Sequence, residues 1–237
     1  MDLPKFLMML EQNGLYFSTL AELAALEDKW EAVIGRQMAA SIASHFNTVS
    51  GNVIDLFQQY LKNTFVNCWY HGTTESVAMW KLYTHSDFGV AISSTIGDLK
   101  KSLEVYDQPV FIGTVEYRDH TEQPMDILAF DAILPYRIAL QKRVCYRHEQ
   151  ELRLLTDFRP DFPQNPEPGM IFRAPFPKHG KVVSAELSLM ISSITTGPNF
   201  PAWTWQLLKS ALVRADLNCP VVESDAFKPP DVRVLDP

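Results

Sequence analysis

One short segment constrains the fold more than any other part of the chain. From Glu149 to Thr156 the sequence reads Glu-Gln-Glu-Leu-Arg-Leu-Leu-Thr. Side chains alternate between the two faces of a β-strand, so Glu149, Glu151 and Arg153 would share one face. The leucines between and after them indicate that the strand packs into a core. The pattern therefore predicts a buried strand that carries two carboxylates and a guanidinium.

Hydrophobic periodicity predicts an α+β fold. Apolar residues recur at helical spacing in the first quarter of the chain, as in the stripe that begins at Val53. Later segments are rich in β-branched and aromatic residues, which favour strands. Strands are predicted at residues 15–18, 64–70, 90–93, 109–117, 149–156, 182–183, 191–195 and 220–222. We expect a mixed, mostly antiparallel sheet with inserted helices.

The expected organisation is a single domain over residues 1–227, with a mostly helical part at 1–63 and a sheet-containing core at 64–227. Residues 228–237 are predicted to form a flexible tail. Six prolines between residues 157 and 178 predict a loop. Pro135 is expected to break a helix that starts near Asp126. Thr73 or Thr74 is expected to cap one helix, and Ser94 or Thr95 another.

Composition excludes some classes of protein. The 237-residue chain has 21 Lys and Arg against 28 Asp and Glu, a net charge of −7, and no basic run. This charge distribution does not indicate a nucleic-acid-binding surface. No apolar run approaches the roughly 18 residues of a membrane span, and the first residues lack a signal-peptide pattern. We therefore expect a cytoplasmic protein without a membrane segment.

The charged strand is the main candidate for chemistry. A carboxylate pair such as Glu149 and Glu151 is suited to general acid–base catalysis or to binding a ribose or a cation. The competing interpretation is an exposed strand face with a cross-strand salt bridge. His71, at the junction between a strand and a helix, could orient a ligand or join the two glutamates as a metal ligand. No nucleophile elbow, phosphate-binding loop or His-Glu-x-x-His motif occurs.

Several short motifs, in order along residues 3–225, resemble the bacterial domain of unknown function 2971. They are Pro4–Leu7, Leu15–Ser18, Cys68-Trp69, Glu75-Ser76, Ala78–Tyr83, Gly89–Ile92, Gly113–Tyr117, Lys142-Arg143 and His148–Arg153. The acidic turn that the family often carries reads Glu27–Ala32 here and lacks its Pro and Gly. The family implies no settled activity. The resemblance suggests a bacterial effector or a protein of defence, including phage defence, or stress.

A second similarity suggests a reaction. In ADP-ribosyltransferases a hydroxyl-bearing strand precedes a Glu-x-Glu strand, as Ser93-Ser94-Thr95 precedes the glutamates here. By that analogy NAD is the cofactor, Glu151 stabilises an oxocarbenium-like transition state and Glu149 positions the acceptor. Ser94 would brace the pocket. The remaining substrate-binding candidates are Arg153, His71, Trp69 and Trp80.

Two other functions remain open at this point. The chain could be a non-catalytic binding or regulatory module whose acidic and arginine side chains form an internal salt bridge. It could also be a metal-dependent nuclease that uses His71, Glu149 and Glu151 as ligands. For Trp80, which falls at helical spacing with Met79 and Tyr83, a place in the core is also expected.

Overall fold

The computed structural model describes residues 1–26, 28–30, 55, 61–119, 134–157 and 178–228. The chain divides into two compact units, each assembled from separate segments. The first comprises Met1–Leu15, Gly72–Asp107 and Val182–Pro237, and the second comprises Tyr16–His71 and Gln108–Lys181. Helices and strands are present in both units, which confirms the α+β class. The extent of a single domain over residues 1–227 stays a prediction.

The described elements are short and alternate along the chain. The α-helices are α1 (Leu3–Gln12), α2 (Leu20–Leu26), α3 (Val77–Tyr83), α4 (Ile96–Ser102), α5 (Leu134–Ala139), α6 (Leu187–Met190) and α7 (Trp205–Arg214). The strands are β1 (Gly14–Thr19), β2 (Phe65–Tyr70), β3 (Val90–Ser93), β4 (Phe111–Thr114), β5 (Glu116–Arg118), β6 (Gln141–Arg143), β7 (Glu151–Thr156), β8 (Lys181–Ser184), β9 (Ser193–Thr196) and β10 (Val221–Glu223). Three 3₁₀ turns cover Leu103–Val105, Val144–Glu149 and Ala202–Thr204.

Strand pairing is mixed and mostly antiparallel, as predicted. In the second unit β4, β7, β2 and β1 lie side by side in that order, and the pairs within this group are antiparallel. In the first unit β3 is antiparallel to β9, and β9 is parallel to β10. A separate two-stranded sheet joins β5 and β6 in parallel. The central position of β7, between β4 and β2, buries all six of its residues.

Helix caps follow the sequence signals in one case and depart from them in another. The Thr95 side chain accepts a hydrogen bond from the Asp98 N–H at 3.1 Å and begins α4, as expected. The α3 cap is Ser76, whose hydroxyl accepts from the Met79 N–H at 3.4 Å. The prediction of Thr73 or Thr74 was therefore wrong. The N-cap residue immediately precedes the first helical turn, and that turn begins at Val77, after both threonines.

Two element boundaries also differ from the predictions. The helix predicted to end at Pro135 continues past it, since Pro135 lies within α5, which is described from Leu134 to Ala139. The strand predicted at residues 109–117 is two strands that belong to different sheets. The change occurs at Val115, whose N–H donates to the Glu151 carbonyl at 2.9 Å, while the Glu116 N–H donates to Leu140 at 2.8 Å.

Some predictions fall outside the described residues. These are most of the helical stripe that begins at Val53, the start of the helix from Asp126, most of the proline-rich loop at 157–178 and nearly all of the tail. Among the residues that are described, no helix is both long and apolar enough to cross a membrane.

Candidate functional site

Four charged side chains meet inside the second unit. We call Lys142, Glu149, Glu151 and Arg153 the charge cluster. The Lys142 ammonium contacts Glu151 Oε1 at 3.1 Å and also donates to Glu149 Oε2. The Arg153 Nε donates to Glu151 Oε2 at 2.6 Å. At most 6 % of each residue is exposed, so these interactions take place away from water.

The backbone brings the four residues together from two sheets. Glu151 and Arg153 lie two residues apart on β7 and therefore share a face, as the sequence predicted. Lys142 is on β6, where it pairs in register with Tyr117 of β5. Paired residues of adjacent strands point to the same side of a sheet. The two-stranded sheet thus directs Lys142 and Tyr117 towards the end of β7, where the Glu151 N–H donates to the Tyr117 hydroxyl at 2.8 Å.

Glu149 joins the cluster by a turn and not by strand geometry. The predicted strand starts at Glu151, and Glu149 ends a 3₁₀ turn over Val144–Glu149. Gln150, between the two glutamates, has a φ of 42°, a left-handed conformation that interrupts an extended strand. The prediction that Glu149 belongs to the strand was therefore wrong. The two glutamates nevertheless lie together, since each contacts Lys142.

Arg153 lies in the interior and has no exposed surface. Besides Glu151, it donates through Nη1 to the Ala139 carbonyl at 2.7 Å. The β7 register places it between Cys68 of β2 and Gly113 of β4. This environment holds the Glu151 carboxylate in position. The competing interpretation of an exposed strand face with a salt bridge is wrong, because β7 is buried on both faces.

The two glutamates have opposite pKa shifts. Burial and a hydrogen bond with Glu151 raise the pKa of Glu149 to about 7, although Lys142 acts in the opposite direction. Burial would also raise the pKa of Glu151, but the charges of Arg153 and Lys142 outweigh it and lower that pKa to about 2. A carboxyl group that shares a proton with a neighbouring carboxylate is a recurring source of such a separation.

The cation and the phenol beside the glutamates keep their protons at neutral pH. Burial lowers the pKa of Lys142, but the charges of Glu151 and Glu149 more than compensate and raise it above its ordinary value. The pKa of the half-buried Tyr117 is raised, chiefly by burial. At neutral pH the proton that is easiest to move within the cluster is therefore the one on Glu149.

His71 lies near the cluster through its backbone. The His71 N–H donates to the carbonyl of Gln150, the residue between the two glutamates, at 2.7 Å. His71 itself is exposed. Nevertheless, no three His, Cys, Asp or Glu side chains in the described part of the chain form a group that could hold a metal ion. Both glutamates also already contact Lys142, and Glu151 contacts Arg153 as well. The described geometry gives no support to a metal site formed by His71 and the two glutamates.

The other predicted site residues lie elsewhere. Ser94 is half-buried and follows the end of β3, in the sheet of the first unit, so the structure does not join it to Glu151 within one unit. Trp80 is a buried α3 residue of that same unit, and its Nε1 donates to Glu75. Trp69 pairs with Leu152 on the face of β7 opposite to Glu151 and Arg153. Its Nε1 donates to Asn67 at 2.7 Å.

Sequence reasoning missed Lys142 and Tyr117 as site residues. It also missed a second ion pair that lies beside them on β6. The buried Asp28 carboxylate accepts two hydrogen bonds from Arg143, at 2.7 and 3.2 Å. The Arg143 guanidinium lies 5.8 Å from the ring centroid of Trp30 and 5.4 Å from that of Tyr146. The one signal in the sequence was Lys142-Arg143 itself, two adjacent cations in a mostly apolar region.

Comparisons with known proteins found no relative. No protein-family model matches the chain, and neither a curated protein nor a solved structure does. The resemblance to domain of unknown function 2971 therefore stays a prediction. What the site can do chemically follows from its geometry and its charges.

Proposed function

We propose that this protein is an enzyme in which Glu149 transfers a proton. The observation that carries the proposal is that two buried carboxyl groups, Glu149 and Glu151, both contact the ammonium of Lys142 and are hydrogen-bonded to each other. A carboxyl pair that shares a proton has a group that can gain or lose it near neutral pH, which acid–base catalysis requires.

The proposal exchanges the roles that the sequence suggested. Both oxygens of Glu151 are engaged by cations, Oε1 by Lys142 and Oε2 by Arg153. Its charge is therefore largely neutralised and poorly suited to stabilising an oxocarbenium ion. Glu149 has a pKa of about 7 and can act as a base above that pH. Glu151, Lys142 and Arg153 would set this pKa and hold the carboxyl group in place.

NAD is the first substrate to test, because of the Glu-x-Glu similarity to ADP-ribosyltransferases. In that reaction the bond between C1 of the ribose and the nicotinamide nitrogen breaks, and nicotinamide leaves with the electron pair. An acceptor oxygen forms the new bond to C1 and gives its proton to Glu149. The proposal places the enzyme in the cytoplasm and assigns no role to Ser94, Trp69 or Trp80.

The test compares four purified proteins with NAD in the presence and absence of a cell lysate. These are the wild type, Glu149→Gln, Glu151→Gln and the control Glu116→Gln, which alters an exposed β5 glutamate paired with Arg118. Nicotinamide release is measured by mass spectrometry. We expect release by the wild type and the control, and at least a hundredfold loss in Glu149→Gln. Equal release by the wild type and Glu149→Gln would contradict the proposal.

The second candidate is a non-catalytic module in which the cluster is structural. One observation favours it: with both glutamates ionised, the four residues carry two positive and two negative charges and are neutral together. If the cluster is structural, Glu151→Gln should change the free energy of unfolding. Neither the wild type nor any variant should then release nicotinamide.

A further inference from the structure

The Tyr117 side chain contacts the charge cluster through a hydrogen bond whose direction is fixed. The hydroxyl oxygen lies 2.8 Å from the backbone nitrogen of Glu151. An amide nitrogen can only donate, so the phenol oxygen is the acceptor in this bond. The phenol's own proton is therefore directed away from the Glu151 backbone.

Among the described residues, the Tyr117 side chain forms one hydrogen bond, in which it accepts from the Glu151 N–H. Its own proton therefore has no acceptor in this part of the chain. The residue is half-buried, at the boundary between the cluster and solvent. Both Glu149 and Glu151 lie close enough for their charges to raise the pKa of the phenol. Tyr117 is thus a protonated donor, held in one place by a backbone group, beside the carboxyl that the proposed function uses.

We infer that Tyr117 is a substrate-binding residue whose phenol O–H donates a hydrogen bond to an oxygen atom of the substrate, such as a ribose hydroxyl. The inference rests on the proposed function for the identity of the substrate. The orientation of the donor depends only on the contact with Glu151. A donor fixed before the substrate binds loses little conformational freedom on binding, which makes the interaction more effective.

The orientation is tested without any substrate. Tyrosine labelled with ¹³C at Cζ gives one signal per residue, and Tyr117→Phe assigns the signal of interest. In equal volumes of H₂O and D₂O, a hydroxyl that exchanges rapidly with solvent gives one averaged line. A hydroxyl that donates to an internal acceptor exchanges slowly and gives two lines. We expect one line for Tyr117, and two lines would overturn the inference.

Kinetics test the role in binding. We expect Tyr117→Phe to lower kcat/KM for NAD by about ten- to a hundredfold. The pH at which activity rises should stay near the pKa of Glu149, about 7, because the carboxyl pair is intact. An unchanged kcat/KM would overturn the inference, as would a loss of activity accompanied by a displaced pH profile, which indicates a structural role.

The two proposals fail in different ways. If the wild type releases no nicotinamide, the proposed reaction fails. The exchange measurement then still tests the orientation of the Tyr117 hydroxyl. The substrate-binding role is tested by the chemical shift of the labelled Cζ when ADP-ribose is added. A shift of that line supports a donor to a ribose-bearing ligand, and an unchanged line at saturating ADP-ribose overturns it.

Discussion

The backbone of Glu151 is fixed on both sides by the segment that leaves β4. Its N–H donates to the Tyr117 hydroxyl at 2.8 Å, and its carbonyl accepts from the Val115 N–H at 2.9 Å. This segment continues into β5, which pairs with β6 and so positions Lys142. The end of β7, the small parallel sheet and the charge cluster therefore form one connected structure.

Loss of Arg153 should be costly. We expect Arg153→Met to lower the free energy of unfolding by about 3 kcal/mol or more at pH 7, because a buried carboxylate loses one of its cations. The control Arg118→Met removes a partly exposed ion pair with Glu116 on β5 and should cost less than about 1 kcal/mol. Urea unfolding monitored by tryptophan fluorescence measures both. Similar costs for the two variants would show that the cluster contributes no more than a surface pair.

The sequence predicted β7 and its burial because a run of leucines is visible locally. It also predicted that Glu151 and Arg153 share a face, since strand alternation needs no tertiary information. It could not predict the left-handed backbone at Gln150, because nothing in the side chain of glutamine requires a positive φ.

Lys142 was missed for a different reason. Its place in the cluster depends on the parallel pairing of β5 with β6, which lie more than twenty residues apart in the sequence. Parallel pairing of short strands leaves a weak local signal. The split of one predicted strand into β4 and β5 arises from the same cause, since the Val115 N–H still donates to β7 whereas the Glu116 N–H donates to Leu140, next to β6.

The pH dependence of stability should report Glu149. Its folded pKa of about 7 lies above the ordinary 4.5, so between these values the folded protein holds a proton that the unfolded chain has released. Stability should therefore fall as the pH rises from 4.5 to 7, by on the order of 2–3 kcal/mol. Glu149→Gln, which mimics the protonated form, should lack this decline. Urea midpoints at pH 5, 6, 7 and 8 measure it.

Glu151 should produce the opposite trend at lower pH. Its folded pKa of about 2 lies below the ordinary 4.5, so its stabilising contribution is present above pH 4.5 and is lost as the pH falls through that range. The two trends together place the stability maximum near pH 4.5. Parallel curves for the wild type and Glu149→Gln across pH 5–8 would refute the shifted pKa of Glu149.

Removal of the ammonium should shift the titration of Glu149 further. Lys142 lowers the pKa of this carboxyl, in opposition to burial and Glu151. We therefore expect Lys142→Met to raise the pKa of Glu149 above 7. The measurement is a ¹³C NMR titration of the glutamate Cδ signals, with Glu149→Gln to assign the resonance. A titration midpoint at or below the wild-type value would contradict this arrangement of charges.

Two glycine-to-alanine substitutions, one at a tight position and one at an open position, test the packing around Gly180. A Cβ at Gly180 would lie 2.1 Å from the Phe17 carbonyl oxygen, and the Gly180 N–H also donates to Glu22 at 3.0 Å. We expect Gly180→Ala to destabilise the protein by about 1–3 kcal/mol, because backbone atoms must move.

The matched change is Gly97→Ala in the first turn of α4, where the nearest atom to the new Cβ is Thr95 Oγ1 at 3.7 Å. Alanine should stabilise this helix by about 0.5–1 kcal/mol. Thermal unfolding of both variants measures the contrast. A Gly180→Ala protein as stable as the wild type would mean that this close approach is easily relieved.

The burial of the charge cluster has a consequence for how the chain assembles. Lys142 belongs to β6, whereas Glu151 and Arg153 belong to β7. A state in which β7 is packed and β6 is detached would leave Glu151 in the interior with one of its two cations missing. Such a state is energetically unfavourable, since an incompletely paired ion is expensive to remove from water. Docking of β6 and completion of the β7 core should therefore occur in a single cooperative step.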